Sequence, residues 1–243
     1  MPVYRIDFGY DGTAFRGFAR QAGQRTVQGA LEQSLHRVLG GAVAITGAGR
    51  TDAGVHARHQ VASFELDEDL DTNRLARSLN GTLGPEVVVD SVEKVDDGFN
   101  ARFSARWRQY RYLILNAPQA DPLSRHRCWH VVESLDLAAM NEAAAGLVGE
   151  HDFASFCRGR AGGSTTRRVL AAAWSLDHPM TVFTITAGAF CHQMVRSIVG
   201  LMVDVGKGKR RAADIESVIA ARDRSRVPNL APPQGLILWE VGY

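Results

Sequence analysis

Residues 26–39 read "TVQGALEQSLHRVL", and Val27, Leu31, Leu35, Val38 and Leu39 fall on one stripe at helical spacing. That stretch predicts a helix over about 26–39, and the segments on either side take their meaning from it. Ahead of it, "VYRIDFGY" (3–10) alternates as a strand. Behind it, a short apolar run at 42–47 and a second run at 59–66 read as two further strands. A helix over about 71–80, carried by Leu75 and Leu79, and a strand in "EVVVDSVEKV" complete the order β-α-β-β-α-β. This is the split βαβ order of ferredoxin-like domains.

The second half repeats the order. It offers a strand in "ARWRQYRYLILN", a helix at 135–148, strands at 168–177 and 180–188, and a helix at 190–205. An inserted helix at 211–221 and a last strand, "GLILWEV", follow. The residues of the two halves do not match each other, so the repeat is one of element order alone. The expected fold is α+β, with two ferredoxin-like, RRM-like domains, 1–104 and 105–243, whose antiparallel sheets pack side by side around a central cleft. RNA-recognition domains share this layout, although element order does not establish function.

Composition narrows the class. The chain has 243 residues, 45% of them hydrophobic, enough for an ordinary core. No run approaches the roughly eighteen apolar residues of a membrane span, and "MPVYRIDFGYDG" does not read as a secretory leader, so a cytoplasmic location is expected. Cys128, Cys157 and Cys191 are odd in number and widely spaced, which suggests neither a disulfide framework nor a zinc ribbon. In "HRCWH", strand alternation would put His126, Cys128 and His130 on one face. A fourth ligand is not in view, and no metal is expected there. Net charge is only +2, yet 25 of the 28 basic residues are arginine. Arginine suits phosphate, whereas a biased genomic base composition would give the same excess. The cluster Arg102, Arg106, Arg108 and Arg111, interleaved with Phe103, Trp107, Tyr110 and Tyr112, is a mixture expected on a nucleic-acid surface.

Two segments carry candidate chemistry. "GAGRTDAGVHA" (47–57) follows a strand, turns on three glycines and crowds Arg50, Asp52 and His56 onto one loop. Asp52 is either a catalytic carboxylate or a turn aspartate capping its own loop. In "FCHQMVRSIVGLMVDVG" (190–206), an otherwise apolar helix carries Arg196 as its one Lys or Arg. A buried guanidinium needs an anion, and Asp204 is about 12 Å along the helix. Either a carboxylate from elsewhere, with Asp52 the candidate, approaches Arg196, or the arginine stem snorkels to solvent. On the strand at 105–116, Arg106, Arg108, Tyr110 and Tyr112 share a face, for packing or for stacking on a base.

The blocks "YDGTAFRGF", "GRTDAGVHA", "FNARFSA", "YRYLI", "GEHDFASF", "FCHQMVRSIVG" and "APPQGL" occur in the order and spacing of the tRNA pseudouridine synthase A family, and the chain resembles it from Tyr10 onward. The resemblance implies isomerisation of uridine to pseudouridine at positions 38, 39 and 40 of the tRNA anticodon stem-loop, without cofactor or metal. It implies a homodimer with tRNA lying across both subunits. Carried over, the catalytic aspartate falls on Asp52, the active-site tyrosine on Tyr110 and the carboxylate-pairing arginine on Arg196. Arg50 matches the residue that draws the target base out of the RNA, and Arg58 and Arg106 are expected RNA contacts. Two departures stand out: Phe18 and Ala19 replace the family's usual Trp and Gln, and "LNGTLGP" is one residue longer than usual before Pro85. Both bear on RNA contacts rather than on the catalytic positions. Competing readings are an RNA-binding module without catalysis, which leaves Asp52 and Arg196 without a purpose, and a carboxylate hydrolase, which usually wants a second acid near the first.

Overall fold

The computed structural model describes residues 1–158 and 163–243 and shows an α+β protein that divides into two compact units. Unit 1 comprises Met1–Arg108 together with Ile237–Tyr243, and unit 2 comprises Gln109–Leu236.

Unit 1 opens with β1 (Val3–Tyr10), α1 (Val27–Leu39), β2 (Thr46–Gly47), β3 (His56–Glu65), α2 (Thr72–Leu83) and β4 (Val87–Val95). In β1 the alternation places Tyr4, Ile6, Phe8 and Tyr10 inward, all buried, while Arg5 and Asp7 on the other face pair at 2.7 Å. β1 is flanked by antiparallel β3 and β4, and β2 pairs antiparallel with β3. Val27, Leu31 and Leu35 of α1 are fully buried, each stabilising the unit by about 1.5–3 kcal/mol through burial. The helix begins at the Thr26 cap, whose side chain accepts from the Gly29 N–H, and ends at Gly40 in the left-handed conformation. α2 packs against α1 and turns Leu75, Leu79 and Leu83 inward.

Unit 2 contains most of β5 (Trp107–Asn116), then β6 (Trp129–Val131), α3 (Leu137–Ala145), β7 (Gly149–Asp152), β8 (Thr166–Asp177) and β9 (Met180–Ala187). α4 (Met194–Gly206) and α5 (Asp214–Ala221) follow. Its strands run in the order β5-β9-β8-β7, with β6 parallel to β5. α4 is buried along nearly its whole length, as its all-round apolar sequence requires, and packs against α3. The chain ends in β10 (Leu236–Gly242), which in unit 1 lies parallel to β3 through Ile237–His56 and Leu238–Ala57.

Three expectations change. The strand expected at 42–47 shrinks to Thr46–Gly47, because the Ile45 N–H is taken by the Glu32 carboxylate of α1 rather than by a ladder. β3 starts at His56 rather than 59, because β10 and Tyr10 of β1 supply partners for its first residues. Cys157 and Cys191 form a disulfide, with Cα atoms 5.6 Å apart, although their spacing suggested no pairing.

Candidate active site

The Asp52 loop in unit 1 is built from two sequence blocks that fasten to each other through the backbone. Phe18 N–H donates to Thr51 O (3.0 Å), Gly54 N–H to Phe15 O (3.4 Å), and Gly12 N–H to His56 Nδ1 (3.0 Å). "YDGTAFRGF" therefore wraps "GRTDAGVHA", and its glycines are the residues that permit the approach. Gly17 has φ 98°, and a Cβ there would sit 3.0 Å from Thr51 O. From below, Tyr10 Oη and Thr51 Oγ1 share a hydrogen bond of 2.8 Å, and buried Gln60 bonds both the N–H and the carbonyl of Gly49. Burial pushes the Tyr10 phenol up to about 12, against the hydrogen bonds of Thr51 and Gln60. Asp52 emerges half-buried from this frame, with Arg50 and Arg58 exposed beside it in sequence. The Arg58 guanidinium lies 5.1 Å from the Trp239 ring centroid.

Arg108 was expected on a nucleic-acid surface, and the structure corrects this. It is buried, and its guanidinium donates to the carbonyls of Ala48, Arg102 and Ala105 at 2.6–3.2 Å. Its role is to hold backbone in place, Ala48 being part of the Asp52 loop segment. Arg106, next to it, is exposed.

Unit 2 gathers three other blocks. Tyr110 is buried with its ring edge-on to Phe190, centroids 5.0 Å apart. Arg196, in the first turn of α4, donates through Nε to Ala231 O (2.8 Å), and the Ala231 N–H returns a bond to Arg196 O (3.1 Å). The hydroxyl of fully buried Tyr112 donates to Pro232 O (2.8 Å). Burial raises the Tyr112 phenol strongly, and the nearby Arg196 charge opposes that. "YRYLI", "MVR" and "APPQGL" thus meet: two consecutive carbonyls of the last block receive the arginine of one and the second tyrosine of the other. Asp204 accepts from the Asn229 amide at 2.7 Å. "GEHDFASF" is structural, since Asp152 accepts from Thr165 and Ala154 while Ser155 donates to Val218 O. Its hydrogen bond from Thr165 is the main cause that holds the Asp152 carboxyl below its usual range.

In the segment with metal-ligand residues, His126 lies ahead of β6 and its Nε2 accepts from Arg125. Cys128 donates to Ser124, and His130 Nε2 contacts Ala117 O. Among the described residues, no three His, Cys, Asp or Glu side chains cluster as a metal site would require. Tyr10, Gln60 and Arg108 are supporting residues that sequence reasoning missed; a tyrosine and a glutamine at inward strand positions were the available signal.

Unit 1 thus presents a half-buried acid on a braced glycine loop whose sequence neighbours Arg50 and Arg58 are exposed. Comparison with known proteins gives the chain its family. The family model described as tRNA pseudouridine synthase matches residues 8–104 and 143–243. Proteins named tRNA pseudouridine synthase A are similar over nearly the whole chain. The one from Brevibacillus brevis is 42% identical with all of both chains covered, and that of Streptomyces griseus is 46% identical over 98% of this chain and 87% of its own. That of Leifsonia xyli is 42% identical, over 99% and 91% respectively. The chain belongs to the tRNA pseudouridine synthase A family, and is an isomerase.

Proposed function

We propose that this protein isomerises uridine to pseudouridine at positions 38, 39 and 40 of the tRNA anticodon stem-loop, with Asp52 as the nucleophile. The N1–C1′ bond breaks, the uracil turns, C5 bonds to C1′, the bond that Asp52 made is released, and the proton lost from C5 is matched by one gained at N1. Nothing is oxidised or reduced and no cofactor takes part. The target base must first leave its stack, at a cost of a few kcal/mol. Arg50 draws it out, and Tyr110 packs on the flipped ring and takes the C5 proton. Arg196 keeps the Asp52 carboxylate ionised. Arg58 and Arg106 contact the RNA backbone. The working form is a cytoplasmic homodimer of ferredoxin-like halves. Residues 1–104 bring the aspartate loop, and residues 105–243 bring the tyrosine and the arginine.

The observation that carries this reading is the bracing of the Asp52 loop. A turn aspartate would not need a second motif fastened around it by backbone hydrogen bonds and a buried Tyr10–Thr51 pair. Tritium release from tRNA carrying 5-tritiated uridine tests it. Wild-type protein should release tritium, and Asp52→Asn should bind the same tRNA without release. Release by the variant at the wild-type rate would remove Asp52 from the chemistry. Binding without release by the wild type would remove the proposed reaction.

A further inference from the structure

The segment "FNARFSA" (99–105) takes no part in the proposed chemistry, yet its backbone is held by hydrogen bonds on nearly every residue. Asn100 Oδ1 accepts the N–H groups of Arg102 (3.0 Å) and Phe103 (3.1 Å), and Asn100 N–H donates to Ser104 Oγ (3.0 Å). Ala101 is fully buried, its N–H bonded to Ser63 Oγ and its carbonyl to the Tyr243 hydroxyl. Arg108 clamps the carbonyls of Arg102 and Ala105 and, with the same guanidinium, that of Ala48. At the crest of this fixed loop Phe103 is 77% exposed, and it is the sole aromatic among the large apolar side chains found exposed in the described residues. The Arg102 guanidinium lies 5.3 Å from its ring centroid, and Arg102 and Arg106 are both exposed.

A single apolar side chain on a loose surface loop needs no explanation. Here eight or so backbone groups are spent on holding a phenyl ring in water with the Arg102 cation against it. A protein partner would call for a contiguous apolar patch, whereas the immediate neighbours of Phe103 are arginine and serine. An exposed aromatic ring with one arginine over it, and a second exposed arginine three residues on in the chain, matches what a base and its phosphates require. We propose that Phe103, with Arg102 and Arg106, is a stacking platform for an unpaired nucleobase of the RNA substrate other than the uridine that reacts. This rests on the synthase reading above. Because Arg108 ties the platform to Ala48, a base stacked there is registered against the Asp52 loop, so Phe103 is a positioning residue.

The test is tRNA affinity by filter binding at several salt concentrations for wild type, Phe103→Ala, Phe103→Leu and Phe103→Tyr, with oligomeric state from light scattering and folding from thermal unfolding. Stacking predicts that Ala and Leu weaken binding by roughly 5- to 100-fold. Tyr should restore it, and the slope against salt should be unchanged because no phosphate contact is lost. Arg102→Ala should instead flatten that slope. Wild-type affinity in Phe103→Leu would overturn the platform alone, and a change in oligomeric state common to Ala and Leu would make the site a protein interface. Wild-type protein that binds no tRNA would overturn the synthase reading as well.

Discussion

Gly12→Ala should disable the enzyme through the loop that carries Asp52. Its Cβ would lie 2.6 Å from the Val55 carbonyl carbon and closer still to the oxygen. Carbon atoms in contact prefer about 3.5 Å or more, so the two segments must part by about 1 Å. Both clashing atoms are backbone, so no side chain can swing aside. The parting also pulls Gly12 N–H from His56 Nδ1, a buried bond. Overpacking of this kind costs about 1–3 kcal/mol and the lost hydrogen bond about 1 kcal/mol, giving roughly 2–4 kcal/mol in all. A displacement of about 1 Å at a catalytic group typically lowers the rate about 100-fold. Thermal unfolding and tritium release, both on the purified variant, should show both losses while tRNA still binds. A Gly12→Ala protein with wild-type release and unchanged unfolding would refute the account of how the first motif supports Asp52.

Gly81→Ala is the matching control. The position is inside α2 with nothing near its Cβ, so thermal unfolding should show a gain of about 0.5–1 kcal/mol and tritium release no change. Burial raises the phenols of Tyr10, Tyr112 and Tyr243, so the folded state holds these protons longer than the unfolded chain, whose tyrosines titrate near pH 10. That contribution is intact below pH 10 and is lost as pH rises, for Tyr10 up to about 12, at about 1.4 kcal/mol per pH unit for each of the deeply buried Tyr10 and Tyr112 and at a smaller, solvent-screened slope for half-buried Tyr243. Denaturant unfolding across pH 9–12 with Tyr10→Phe for comparison would show it; a flat wild-type profile would contradict the burial argument. Mass spectrometry after thiol alkylation should find Cys157 and Cys191 unlabelled until a reductant is added, and buried Cys128 labelled only on unfolding.

Elements whose signal is local were readable from sequence. α1 and α2 carry their apolar stripes, and both helices fall where the stripes put them, over about 26–39 and 71–80. Features that depend on a distant partner were hidden. Nothing near residue 56 announces that β3 starts there, because Ile237 and Leu238 pair with it from 180 residues away. β6 and β7, of three and four residues, are too short to show alternation. At the site, Asp52 and Arg196 drew notice as an acid on a glycine-rich loop and a cation in an apolar helix, each with a structural reading beside the catalytic one. Arg108 misled, because spacing alone cannot separate an arginine that meets phosphate from one that meets carbonyls.

The two units are not consecutive stretches of chain, and this has a consequence for biosynthesis. Residues 237–243 complete the sheet edge beside β3 and bring Tyr243 over Arg5 and Trp239 over Arg58. A ribosome adds them only after all of 109–236 has been made. At about 5–20 residues per second, the aspartate loop must wait some 6–25 seconds with one flank of its strand uncovered. Over that interval the nascent protein exposes an unpaired strand edge, the feature most prone to capture by another chain.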